Sequence, residues 1–151
     1  MARLAQFIFY VADQGSATAF WRRVLQRSPS LEEPGMTEFT LAEGAVLGLM
    51  PEAGIRALLG QGLPDPARAS GIPRSELYLV VDDPGAHHER ALAAGARELS
   101  PLTRRDWGDH AAYSLDPDGH VIAFASRPSP NPEESVTAAR ELAASPAPAQ
   151  A

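Results

Sequence analysis

The chain has 151 residues, 44% of them hydrophobic, with a formal net charge of −6 and a pI near 5.1. That length suffices for one domain with a real core, or for two small units sharing one. The acidic balance argues against nucleic acid and anionic membrane as partners, and the absence of cysteine removes disulfides, thiolate nucleophiles and cysteine metal sites.

Met1 to Ser16 lacks a basic start followed by an apolar run and a small-residue cleavage site, and no apolar run approaches about 18 residues, so a soluble cytoplasmic protein is expected. Phe7 to Val11 is a β-branched and aromatic run ending at Asp13-Gln14-Gly15-Ser16, which offers side-chain oxygens for a helix N-cap. Ala17, Phe20, Trp21, Val24 and Leu25 then recur at helical spacing, giving one apolar face that must cover a sheet. Ser28 to Thr37 reads as a loop with at most a short strand, and Glu38 to Leu41 with Ala45 to Met50 as a hairpin around Glu43-Gly44.

Residues 51–74 hold several prolines and glycines and only the short apolar stretch Ile55 to Leu59, so they read as a connector with one helical turn. Beyond it the first half starts again. Glu76 to Asp83 repeats the strand and its acidic end, Pro84 suits the first helical position after Asp83, and Ala86 to Ala94 is helix-forming until Gly95. Phe9 matches Leu79 at an offset of 70, and Gly44 matches Gly119 at an offset of 75. The second hairpin turns on Asp116-Pro117-Asp118-Gly119, with Ala111 to Leu115 and His120 to Ala125 as its arms. His87 and His88, consecutive on the second helix, are read as solvated. Asn131-Pro132-Glu133-Glu134 starts a thin amphipathic helix to about Ala144, and Ser145 to Ala151 have nothing to bury.

The organisation is therefore a first βαβββ module at 1–50, a connector at 51–74, a second βαβββ module at 75–126 and a tail at 127–151. The fold class is α+β, with tandem modules forming two curled mixed sheets around a cleft.

Val11 to Asp13, Ala19 to Leu25, Val81 to Asp83, Ala91 to Ala96 and Trp107 to Ile122 follow, in order, motifs of the vicinal oxygen chelate superfamily. The chain resembles that superfamily, which includes glyoxalase I, bleomycin-resistance proteins and extradiol dioxygenases, over roughly residues 4–126. The resemblance implies a divalent metal held by the first and last strand of each module, at positions that fall here on Gln6, Gly48, Glu76 and Ala123. Two of those four carry no donor, whereas an open catalytic site needs about three protein ligands.

The expectation is therefore a metal-free protein with no cofactor that sequesters a small molecule, similar to the bleomycin-resistance type that confers antibiotic resistance. A cationic, drug-like aromatic ligand suits the acidic chain. Tyr10, Tyr78, Glu76, Trp107, His110, Val121 and Ala123 are the candidate contacts, with Gly48 and Ala123 opening space at the floor. Asp109 and Glu76 are candidate bases for metal-free proton transfer. The alternative is a metal-dependent lyase, isomerase or dioxygenase using Zn, Ni, Mn or Fe on Gln6, Glu76 and His110. A homodimer is implied by the resemblance alone.

Overall fold

The two aspartates that follow the opening strands start the two main helices in the same way. Asp13 accepts a hydrogen bond from the Ser16 backbone N–H at 2.7 Å, and Asp83 from that of Ala86 at 2.9 Å, with Pro84 in the first helical position. Each carboxylate thus satisfies a donor that the helix leaves free. The computed structural model describes residues 2–69 and 71–128; the helix expected beyond Asn131 lies outside them.

The first unit runs β1 (Ala5–Val11), α1 (Gln14–Leu25), β2 (Leu31–Glu33), β3 (Met36–Ala42) and β4 (Ala45–Pro51). After α2 (Glu52–Leu59), the second unit runs β5 (Glu76–Val80), α3 (Pro84–Ala93), β6 (Arg97–Arg104), β7 (His110–Leu115) and β8 (Val121–Ser126). Each unit forms one four-stranded mixed sheet, in the orders β1-β4-β3-β2 and β5-β8-β7-β6, whose first strand is parallel to its last. Ile8 pairs with Gly48 as Tyr78 pairs with Ala123, so the offsets of 70 and 75 hold in space.

Ala17, Phe20, Trp21 and Val24 of α1 are buried, as their spacing predicts. They share one core with Val11, Phe39, Leu47 and Leu49 of the first unit and Leu77, Ala91, Ile122 and Phe124 of the second. Each of the larger side chains removed from water in this way contributes roughly 1.5–3 kcal/mol. α1 packs against α3, where Arg90 Nε donates to the Val24 carbonyl at 3.1 Å. The Asp116–Gly119 turn makes a second bridge: Asp118 Oδ1 accepts from the Ala12 N–H at 2.9 Å, and the His120 ring stacks on Phe9 at 4.1 Å. Gly119, at φ 89°, supplies the left-handed residue that this turn requires. Among the described residues the sheets are not joined by strand pairing, and β1 and β5 each lie at an edge of their sheet.

Two expectations are corrected. The connector holds an eight-residue helix and two 3-10 turns, Gly60–Gly62 and Pro66–Arg68, rather than one helical turn. Glu52–Leu59 contains no proline, and burying Ile55 outweighs the intrinsic penalty of Gly54. Of the paired histidines of α3, one is not solvated and the other is half-buried. His88 is buried with Nε2 on Glu98 Oε2 at 2.9 Å, and the His87 ring lies 5.4 Å from that of Phe124. Among the described residues no helix is long and apolar enough to cross a membrane.

Candidate functional site

Counting outward from the Asp116–Gly119 turn fixes which side chains share a face. Leu115 lies opposite Val121, Tyr113 opposite Ala123 and Ala111 opposite Ala125, while β5 sets Glu76 beside Val121 and Tyr78 beside Ala123. All of these stand on one face of the second sheet. Leu77, Ala112, Ser114, Ile122 and Phe124 stand on the other, under α3.

Tyr78 is the centre of the open face. Its ring centroid is 6.5 Å from that of Tyr113, and Ala123, the ladder neighbour of both, is fully buried. The Tyr78 hydroxyl donates to Asp109 Oδ2 at 2.8 Å and accepts from Trp107 Nε1 at 3.3 Å. The loop between β6 and β7 brings both partners, turning at Gly108 with φ 100°. It also brings Arg105, whose guanidinium lies 4.9 Å over the Tyr113 ring and donates to Ser100 Oγ at 2.8 Å and the Ala111 carbonyl at 2.7 Å. Asp109 is 6% exposed and has Arg127 Nε at 3.6 Å as its second partner, whereas Trp107 is 61% exposed and presents a broad indole face to solvent.

Burial pushes both tyrosines above their ordinary value of 10.0. At Tyr113 the Glu76 carboxylate adds to the rise, and at Tyr78 the Trp107 N–H works against it. Both hydroxyls are therefore neutral at physiological pH, able to donate or accept. The arrangement is an aromatic wall over a small residue, with a buried carboxylate at one end and an exposed one, Glu76, at the other. It suits a flat organic molecule held by stacking and a few directed hydrogen bonds.

The equivalent face of the first sheet is built differently. Gln6 Nε2 donates to Glu38 Oε1 at 2.7 Å. A Cβ on Gly48 would stand 3.1 Å from Ile8 Cγ1, 3.2 Å from Gln6 Nε2 and 3.3 Å from Met36 Sδ. Neighbouring side chains fill the space that Gly48 was expected to open.

The four positions at which a metal was implied do not fit one. Gly48 and Ala123 carry no donor, the Gln6 amide nitrogen is turned to Glu38, and Glu76 offers a single carboxylate. Among the described residues no group of three His, Cys, Asp or Glu side chains is gathered as a ligand set.

Of the expected contacts, Glu76, Tyr78, Val121 and Ala123 share the second face, and Trp107 reaches it through the Tyr78 hydroxyl. His110 does not join them. It is exposed opposite Ser126, with the parity of Ala112 and Ser114. Tyr10 belongs to the first sheet and borders a cavity at the edge strand β1. Tyr113 and Arg105 were not anticipated, although counting from the turn would have set Tyr113 opposite Ala123.

A family model described as a glyoxalase-like domain matches residues 6–125. The chain belongs to this glyoxalase-like family. Its fold is that of the vicinal oxygen chelate superfamily. A glyoxalase-related enzyme from Fulvimarina pelagi superposes with a TM-score of 0.71 at 22% identity, covering 85% of this chain and 90% of that one. A glyoxalase/bleomycin resistance protein/dioxygenase family enzyme from Burkholderia phytofirmans PsJN gives 0.69 at 18% identity, covering 83% and 98%. A glyoxalase/bleomycin resistance protein from Catenulispora acidiphila gives 0.57 at 24%, again covering 83% and 98%. At these identities the likeness is one of fold. No curated relative matches the sequence.

Proposed function

We propose that this glyoxalase-like protein binds and sequesters a small, flat organic molecule on the open face of its second sheet, without a metal or other cofactor. One observation carries the reading: where a metal ligand would stand, Ala123 lies buried between Tyr78 and Tyr113, with Trp107 exposed beside them. The occupant stacks on the Trp107 indole, meets the hydroxyls of Tyr78 and Tyr113, and has its charge set by Glu76. The chain's net charge of −6 favours a cationic ligand. The metal-dependent lyase, isomerase or dioxygenase reading draws less support, because one carboxylate and one engaged amide fall short of the three ligands it needs.

The test is a fluorescence titration with a panel of planar cationic compounds, followed by calorimetry on those that quench. Binding is expected to be saturable and lost in Trp107→Ala. A variant that binds every compound as well as the parent would remove Trp107 and this face from the reading. Stoichiometric, tight uptake of Ni, Zn, Mn or Fe would restore the metal-dependent one.

A further inference from the structure

A second site emerges at the seam between the units, away from the Tyr78 face. The edge strand β1 borders a cavity of about 370 Å³, walled by Phe7, Ile8 and Tyr10, by Glu52 at the start of α2, by Ser75 just before β5, and by His120. None of the Tyr78 cluster borders it. Because β1 pairs among the described residues only with β4, alternate residues along it direct backbone groups without a strand partner there away from the sheet, on the side where the cavity lies.

His120 reaches this cavity already oriented. The Asp116 carboxylate is buried and accepts from the backbone N–H of Asp118 at 3.0 Å and of His120 at 2.8 Å. Its Oδ2 lies 2.9 Å from His120 Nδ1. A carboxylate in that position only accepts, so Nδ1 carries a proton, and in the neutral ring Nε2 is a bare acceptor. Stacking on Phe9 fixes the plane of the ring. Nε2 has no hydrogen-bond partner among the described residues and is not closed off from solvent.

The charged side chains around the cavity are acidic. Glu52 and Asp118 offer carboxylate oxygens, the neutral His120 ring offers Nε2, and Ser75 and Tyr10 have hydroxyls that work either way, with no lysine or arginine among the described residues of the wall. Arg74 borders only the adjoining recess of about 230 Å³, which shares Glu52, Asp118 and His120. Carboxylates beside Phe7 and Ile8 are complemented by a donor-rich cation with an apolar body. We propose that the seam cavity binds a small organic ammonium, whose N–H groups donate to His120 Nε2 and the Glu52 carboxylate while its body lies along the edge strand β1.

The test follows the His120 ring signals by NMR in histidine-labelled protein, assigned by their loss in His120→Asn, with benzylamine as the probe and benzoate as the matched anion. Benzylamine is expected to shift them saturably and benzoate to leave them in place. Glu52→Gln, which keeps the size of the side chain, is expected to weaken benzylamine about tenfold by removing a charge-assisted hydrogen bond. His120→Asn, read from the Tyr10 amide signal, is expected to weaken it as well. Equal response to benzoate, no response to benzylamine, or unchanged affinity in both variants would overturn the proposal. So would a dissociation constant that the Trp107 indole signal reports identically and that Glu52→Gln leaves untouched, since the shift would then come from the other face.

Discussion

The same strand position was filled in two ways. Gly48 in the first unit is crowded by Ile8, Met36 and a Gln6 amide committed to Glu38, whereas Ala123 in the second supports two tyrosines, an exposed indole and a buried carboxylate. The strand order and the parallel pairing of first strand to last repeat, and the difference at this position lies in the side chains turned from the helices. Those side chains are free to diverge because stability is supplied on the opposite faces, where both units contribute to one core. One face is crowded around its glycine and the other is an open aromatic surface.

That division is tested most severely through the core. Phe39→Ala in the first unit and Phe124→Ala in the second, both fully buried, are each expected to cost about 3–5 kcal/mol. Melting followed by calorimetry should remain a single transition in both variants. Two separated transitions would mean that the units are held by separate cores, and that the faces did not diverge over a common foundation.

The next effect is confined to the second unit. Tyr78→Phe leaves the buried Asp109 carboxylate without its hydroxyl donor and with Arg127 at 3.6 Å, a loss of about 1–2 kcal/mol in denaturant unfolding. The same substitution separates the faces by pH. Tyr78 and Tyr113 titrate above 10.0 in the fold, so the unfolded chain ionises first. Their contribution is complete below 10.0 and is lost as the pH climbs through the raised folded values. Tyrosinate absorbance should therefore show late-titrating groups, one fewer in Tyr78→Phe, and the variant should lose less stability than the parent across that alkaline window. A variant that loses as much stability there as the parent would place the raised tyrosine elsewhere.

A smaller change exchanges the two fillings. Gly48→Ala is expected to cost about 1 kcal/mol, because three side chains must give way by a few tenths of an ångström. Ala123→Gly is expected to cost about the same by adding backbone freedom and removing a buried methyl group. Only the second should alter the Trp107 emission spectrum, since only the second lies under the tyrosines.

Local chemistry explains which parts of this were legible in the sequence. The Asp13 and Asp83 caps, the apolar face of α1 and the Asp116–Gly119 turn are each determined within a few residues, and the duplication follows from finding them twice. α2 was under-read because Gly54 and the prolines flanking the helix hide a segment whose stability comes from burying Ile55. The aromatic face was read in part. Alternation placed Tyr78, Val121 and Ala123, but the contribution assigned to His110 failed on parity, which the turn already determined. The bonds from Tyr78 to Asp109 and Trp107 depend on how a loop folds back over the sheet, and no periodicity carries that.

The finest comparison is between the caps. Asp13 titrates below its ordinary value of 3.8, because its carboxylate takes hydrogen bonds from Ser16. A lowered carboxylate contributes stability above 3.8 and loses it as the pH falls through the folded value. Asparagine caps about as well but does not titrate. Asp13→Asn should therefore match the parent near neutral pH and overtake it in melting temperature on the acid side. Asp83→Ala, which removes the equivalent cap outright, should cost about 1 kcal/mol near neutral pH. If Asp13→Asn instead followed the parent down the acid limb, the Ser16 hydrogen bonds would hold the charged and neutral forms equally. The first helix would then owe its start to the apolar face that it buries rather than to its cap.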